Sequence, residues 1–191
     1  MRRTMFTIAG VALGAAVLLA GGCARSLMDP TVVTDYQPLD DAGELAYWGE
    51  VQRRSAITND EGLHGVLVLA DGADGSGSYE QRVAALKERG WLSDGFNEPA
   101  NMAMRRGVLA KAIAHAIALD GGVMMALTDK APRYATKELV YVGIMPDGTE
   151  NQVIAGLEFV GVISRAQDFV LLRQSAAQAK TEAPGAGEPG Q

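Results

Sequence analysis

A chain of 191 residues, 48% of them apolar and 21% charged, has room for one domain with its own core and hardly for two. Its formal charge of -6, with no clustered run of Lys and Arg, excludes a nucleic-acid binder, because neutralising phosphates takes grouped cations. One cysteine excludes a disulfide scaffold, so the fold must rest on packing.

The chain begins MRRTMFTIAGVALGAAVLLAGGC. Arg2 and Arg3 form a positive start, and Met5 to Leu19 form an apolar run too short and too poorly flanked for a comfortable membrane span. Small residues then lead into Cys23. That order reads as a bacterial lipoprotein signal over residues 1–22, with Cys23 the lipidation site and Ala, not Leu, three positions before it. Acyl chains on Cys23 hold a protein on a membrane through their buried methylenes. Ala24 in the next position is compatible with the outer membrane, facing the periplasm. Processing removes Arg2 and Arg3 and takes the charge from -6 to about -8.

Residues 23–38 contain two prolines and no helical period, and read as a tether. Asp41 caps a predicted helix with Leu45, Trp48 and Val51 on one face. GLHGVLVLA, residues 62–70, is short and apolar and fits a strand as readily as a helix, and DGADGSGS, residues 71–78, reads as a flexible connector. Ser78 and Gln81 form a capping box for a helix that points Tyr79, Val83 and Leu86 inward and stops near Gly90. A helix over Val108–Leu119 carries Leu109, Ile113 and Ala116 on one face, with Gly121 and Gly122 as its stop. Pro132 opens the next, with Ala135, Leu139 and Val142 in register and Gly143 ending it. The last runs from Val153 to Leu172 through Phe159, Ile163, Ala166 and Val170. Residues 174–191, rich in Ala, Gly, Pro and Gln, read as a disordered tail.

Two stretches repeat one plan. RVAALKERGWLSDGFNEPANMAMRRGVLAKAI and ATKELVYVGIMPDGTENQVIAGLEFVGVI each hold a helix ending in Gly, two apolar residues, an Asp-Gly turn, an Asn and a second helix. Gly90 and Gly143 stand 53 residues apart (143 − 90). A truncated third copy over residues 45–70 places Ile57 near the Trp91–Leu92 and Ile144–Met145 positions. The predicted fold is all-α: about three helix-turn-helix repeats in one domain, residues 39–173, whose neighbours complete each other's cores.

These copies resemble the S-layer homology domain, whose repeats run from a helix through Gly-Ile and a Gly-Phe-Pro-Asn turn to a helix beginning Ile-Thr-Arg-Ala-Glu. The better copy offers Gly90, Trp91, Leu92, Gly95, Phe96, Pro99 and Asn101, then Met104, Arg105, Arg106, Gly107 and Val108. The later copy offers Gly143, Ile144, Met145, Gly148 and Asn151, then Ile154, Ala155, Gly156, Leu157 and Glu158. The resemblance covers about residues 42–173 and implies a non-catalytic domain that holds peptidoglycan or an associated envelope glycan. The Arg position survives as Arg106 but is Gly156 in the later copy, and the Glu position is Val108 in one and Glu158 in the other. The alternative is a periplasmic protein-interaction scaffold that has kept the fold and lost glycan affinity.

The candidate contacts are therefore Arg106, Trp91, Glu158 and Arg105. Arginines at a helix start oppose the macrodipole, which suits pairing with an anionic glycan or with Asp94 or Glu98 in the same loop. Trp91 can stack on a sugar or cap the core. Met124 and Met125 can present an adaptable surface or fill a gap under the next repeat. His64 and His115 lack partners at ligand spacing, and no metal or other cofactor is implied. No nucleophile motif is present; Asp94 and Glu98 are the one carboxylate pair that hydrolysis could use.

Overall fold

A computed structural model describes residues 41–182, so Cys23, the signal segment and the tether lie outside the described residues. Among the described residues there are seven helices and no strand: α1 (Asp41–Val51), α2 (Asn59–Asp71), α3 (Tyr79–Glu88), α4 (Arg106–Ala116), α5 (Val123–Leu127), α6 (Pro132–Tyr141) and α7 (Gly156–Glu182). The pairs α1–α2, α3–α4 and α6–α7 are three helix-loop-helix units, with α5 inserted between the second and third.

The units close in a circle. The first helix of each packs on the second helix of the unit before it: α3 on α2, α6 on α4, and α1 on α7. Helix starts leave backbone N–H groups without intrahelical partners, and here the neighbouring loop takes them in the same cyclic order. Asn59 N–H, the first of α2, donates to Met102 O at 2.8 Å; Arg106 N–H of α4 donates to Gln152 O at 2.8 Å; Gly156 N–H of α7 donates to Arg54 O at 3.0 Å. Just before these starts, Met104 N–H donates to Ile57 O and Ile57 N–H to Ile154 O. Ile57, Met104 and Ile154 are thus the equivalent residues, all buried at the centre. Ile57 does not correspond to Trp91–Leu92, because helix position and not distance from the preceding glycine sets the equivalence.

Repeat chemistry is closest in the second and third units. Gly90 (φ 72°) and Gly143 (φ 77°) take the left-handed region, and the two residues after each donate back to Leu86 O or Leu139 O. The core runs through Val51, Ile57, Leu63, Leu86, Leu109, Ile113, Leu139 and Phe159. Gly65 admits the Phe159 and Trp48 rings to the α2 backbone, which a Cβ there would block.

Several expectations change. Residues 62–70 are helix, because Thr58 and Glu61 form a reciprocal capping box and Gly72 (φ 80°) closes the far end. The Ser78 box is half made: its hydroxyl accepts Gln81 N–H, while the Gln81 side chain takes Gly77 N–H instead. In α1, Tyr47 is buried and Leu45 is 76% exposed. Helix α4 ends at Ala116, before the Gly pair, through a left-handed Ala118 (φ 47°). Helix α7 passes Arg173 and runs to Glu182. Its SAAQAK segment is rich in good helix formers, which extend an existing helix without needing burial. Residues 183–191 lie outside the described residues.

Candidate functional site

The four candidate side chains fall into three places. Arg106 is the first residue of α4 and reaches across to the third unit. Its guanidinium donates to Glu158, third residue of α7, and to Pro146 O in the loop before α7. Arg106 is buried while its partner Glu158 is partly exposed, and Gly148 lies against the guanidinium. The position that an arginine would hold in α7 is Gly156, where any Cβ would overlap the Val51 carbonyl oxygen. The loss of Arg in that copy therefore has a steric cause: α7 starts in contact with the end of α1.

Arg105 caps α4 without a side-chain cap bond and turns the other way, donating to Glu98 Oε1 at 2.5 Å. Glu98 also accepts from Asn59, the first residue of α2, at 3.4 Å, and its backbone carbonyl accepts the Tyr79 hydroxyl at 2.7 Å. Desolvation, with Asp60 and Glu98 nearby, pushes the Tyr79 phenol well above its ordinary range. Of the two carboxylates available for hydrolysis, Glu98 is thus buried and occupied with Arg105, while Asp94 is exposed at the loop tip. The expected pairing of arginines with Glu98 holds for Arg105 only.

Trp91 stands apart from these clasps. It follows the Gly90 turn, is half-buried, and carries the Arg89 guanidinium over its ring at 5.0 Å from the centroid. It walls a cavity of about 160 Å³ with Phe96 and Pro132, where Ser93, Lys111 and Thr128 supply polar atoms. A second, more open depression of about 530 Å³ lies on the other side of the same loop, bounded by Tyr79, Val83, Lys87, Phe96 and Pro99. Phe96 separates the two. The arrangement offers an aromatic wall beside Ser93, with the Thr128 hydroxyl donating to Met124 O at 2.7 Å and Lys111 bridged to Asp129 at 3.0 Å, which suits a ring better than a reacting bond.

Sequence reasoning missed a buried polar chain. His64 Nδ1 lies 2.7 Å from Asp74 and its Nε2 3.2 Å from Glu44 of α1, with the Tyr47 ring edge-on at 4.4 Å. Arg82, fully buried on α3, bonds Asp74 and, at 2.8 Å, Asp60. Burial would raise the Asp74 carboxyl, but hydrogen bonds from His64, Arg82 and Ser76 N–H hold it at about 2. The segment expected to be a flexible connector is thereby pinned to α2 and α3. Periodicity did carry a signal: Arg82 lies three residues after buried Tyr79 and four before buried Leu86, on the inward face of α3.

His115 sits at the edge of α4 as expected; desolvation and the neighbouring Lys130 lower its pKa. Met125 fills the gap under α5, while Met124 is exposed. Among the described residues no three His, Cys, Asp or Glu side chains gather as metal ligands, and no helix is long and apolar enough to cross a membrane. No protein family, curated protein or solved structure matches the chain.

Proposed function

We propose that this is a non-catalytic lipoprotein of the bacterial cell envelope, tethered through Cys23, whose three-unit domain holds cell-wall polymer as S-layer homology domains do. The observation that carries the reading is the Trp91 cavity. A half-buried indole and a phenylalanine wall from the loop of the second unit face Ser93, Lys111 of α4 and Thr128 at the end of α5. A saccharide presents an apolar ring face with polar groups at its edge, and this lining complements both. Three helix-loop-helix units match the number of repeats the resemblance implies.

In this reading Trp91 makes the contact, while Arg106 with Glu158 and Arg105 with Glu98 fix the start of α4 away from the cavity. Arg106 and Glu158 are already committed to each other across the unit boundary. That same commitment favours the second reading, a periplasmic scaffold for another protein, since the most polymer-like contact residue is turned inward.

Co-sedimentation of the chain from Ala24 with purified sacculi separates the two. Wall binding predicts pelleting that Trp91→Ala abolishes and that digestion of the glycan prevents. Failure of the wild-type protein to pellet, while folded by circular dichroism, removes the glycan reading and leaves the scaffold, whose partner crosslinking would then identify. For the tether, Cys23→Ser is expected to move the protein from the membrane fraction; unchanged fractionation would refute lipidation as the anchor.

A further inference from the structure

Helix α5 buries only Met125. Val123 and Leu127 are 75% exposed and Met124 49%, and these three share one face of the helix, being one and four positions apart. Singly exposed apolar residues are ordinary, but three on a five-residue helix form one apolar tip.

The backbone holds this tip out under strain. The three non-glycine residues with positive φ among the described residues all bracket it: Ala118 (47°) before α5, Asp129 (49°) and Lys130 (52°) after it. Each such conformation is costly for a residue with a side chain and persists where the surroundings enforce it. Lys130 N–H donates to Met125 O at 2.9 Å, locking the turn that ends the helix.

Charge around the tip is balanced in number but not in pairing. Residues 120–138 hold Lys130, Arg133 and Lys137 against Asp120, Asp129 and Glu138, and Asp120 lies 3.4 Å from Arg173. Asp129 is bridged by Lys111 at 3.0 Å, whereas Lys130, Arg133 and Lys137 form no ion pair among the described residues. Arg133, Lys137 and Tyr141 follow at four-residue steps on α6, against which α5 packs, and Tyr141 is 85% exposed.

We infer that α5, with the Arg133–Lys137–Tyr141 stripe of α6, is a docking surface for an anionic lipid bilayer. Apolar side chains on a short helix, flanked by basic residues and a tyrosine, are what the headgroup–acyl boundary takes up. A protein partner fits less well. A stable protein interface covers about 800 Å² on each side, far more than a tip of three side chains offers. Since no described helix is suited to spanning a bilayer, the contact is interfacial. It needs no acyl chain on Cys23; where one is present, it orients the domain on the membrane that the acyl chain reaches.

The test uses the full chain. Cys23 is the sole cysteine, so Cys23→Ser with Met124→Cys gives one thiol for an environment-sensitive fluorophore. Leu127→Cys serves as a second reporter, and Asp147→Cys, exposed in the loop before α7, as the control. Vesicles of phosphatidylglycerol with phosphatidylcholine should shift the emission from position 124 to the blue and allow quenching by brominated acyl chains, with no change at 147. Because the probe reports its own surroundings, vesicle binding by the apolar N-terminal residues does not imitate this result. Arg133→Gln with Lys137→Gln should weaken the response on the order of tenfold at limiting lipid. Emission at 124 and 127 that stays as in water while the chain floats with the vesicles overturns the inference. An equal shift at 147 overturns it too, as does a shift produced by envelope protein and not by lipid, which would make the tip a protein contact.

Discussion

Removing Arg82 is the sharpest perturbation of this fold. Arg82→Ala takes away a guanidinium lying between Asp60 and Asp74 and leaves both carboxylates buried. Breaking a buried pair from one side costs about 3–5 kcal/mol. The share belonging to Asp74 can be worked separately. Its carboxyl, ordinarily at 3.8, is held at about 2, and at about 1.36 kcal/mol per pH unit that is about 2 kcal/mol of stability. The folded pKa lies below the unfolded one, so this contribution is complete above pH 3.8 and disappears as pH falls through about 2. Urea unfolding followed by circular dichroism should therefore find the variant about 3–5 kcal/mol less stable at neutral pH. The gap should narrow between pH 4 and pH 2 by part of the Asp74 share, since the His64 and Ser76 N–H bonds to Asp74 remain in the variant. A deficit below about 1 kcal/mol at neutral pH, or one that stays constant into acid, would refute the account of α3 as pinned through its buried charge.

Other substitutions probe the ring. Gly156→Ala, which drives a Cβ into the Val51 carbonyl, should cost about 1–3 kcal/mol or more. Gly161→Ala on the same helix meets only the end of Arg165 and should gain up to about 1 kcal/mol; equal effects in thermal unfolding would mean α7 does not start against α1. Thr58→Ala should cost about 1 kcal/mol by opening the capping box of α2, and an unchanged urea midpoint would contradict that geometry. A double-mutant cycle of Arg106→Ala and Glu158→Gln should give a coupling of about 0.5–3 kcal/mol, whereas additive losses would show the two side chains to be independent.

Much of the architecture was legible in the chain because it depends on local rules. Gly90 and Gly143 had to be stops, since both need positive φ, and Pro132 had to open α6. The first unit is less legible because its loop is short, and because the apolar run after Thr58 and Glu61 fits a strand as readily as a helix by composition; only the capping box separates the two. The site was less legible, for a different reason. Adjacent residues Arg105 and Arg106 appear as one charged pair in sequence, yet a helix start sends them to Glu98 and Glu158 on opposite sides. Nothing local distinguishes an arginine bound for a neighbouring unit from one bound for a ligand. Likewise Asp74 sits in a glycine-rich run that suggests mobility, and its burial depends on an arginine eight residues later and a histidine ten residues earlier.

The closure of the first unit onto the third has an evolutionary meaning as well. An open stack of repeats can be lengthened by duplicating a unit, because each new copy needs only the one before it. Here the last helix begins against the carbonyls of Val51 and Arg54, and Ile57 is joined to Ile154. A fourth copy would part those residues and leave the start of α7 without its partner. The number three is therefore fixed, and selection acts on each copy in its own place. Under that constraint the copies are free to stop resembling one another, so that Asn59, Arg106 and Gly156 can occupy one equivalent position with three different duties.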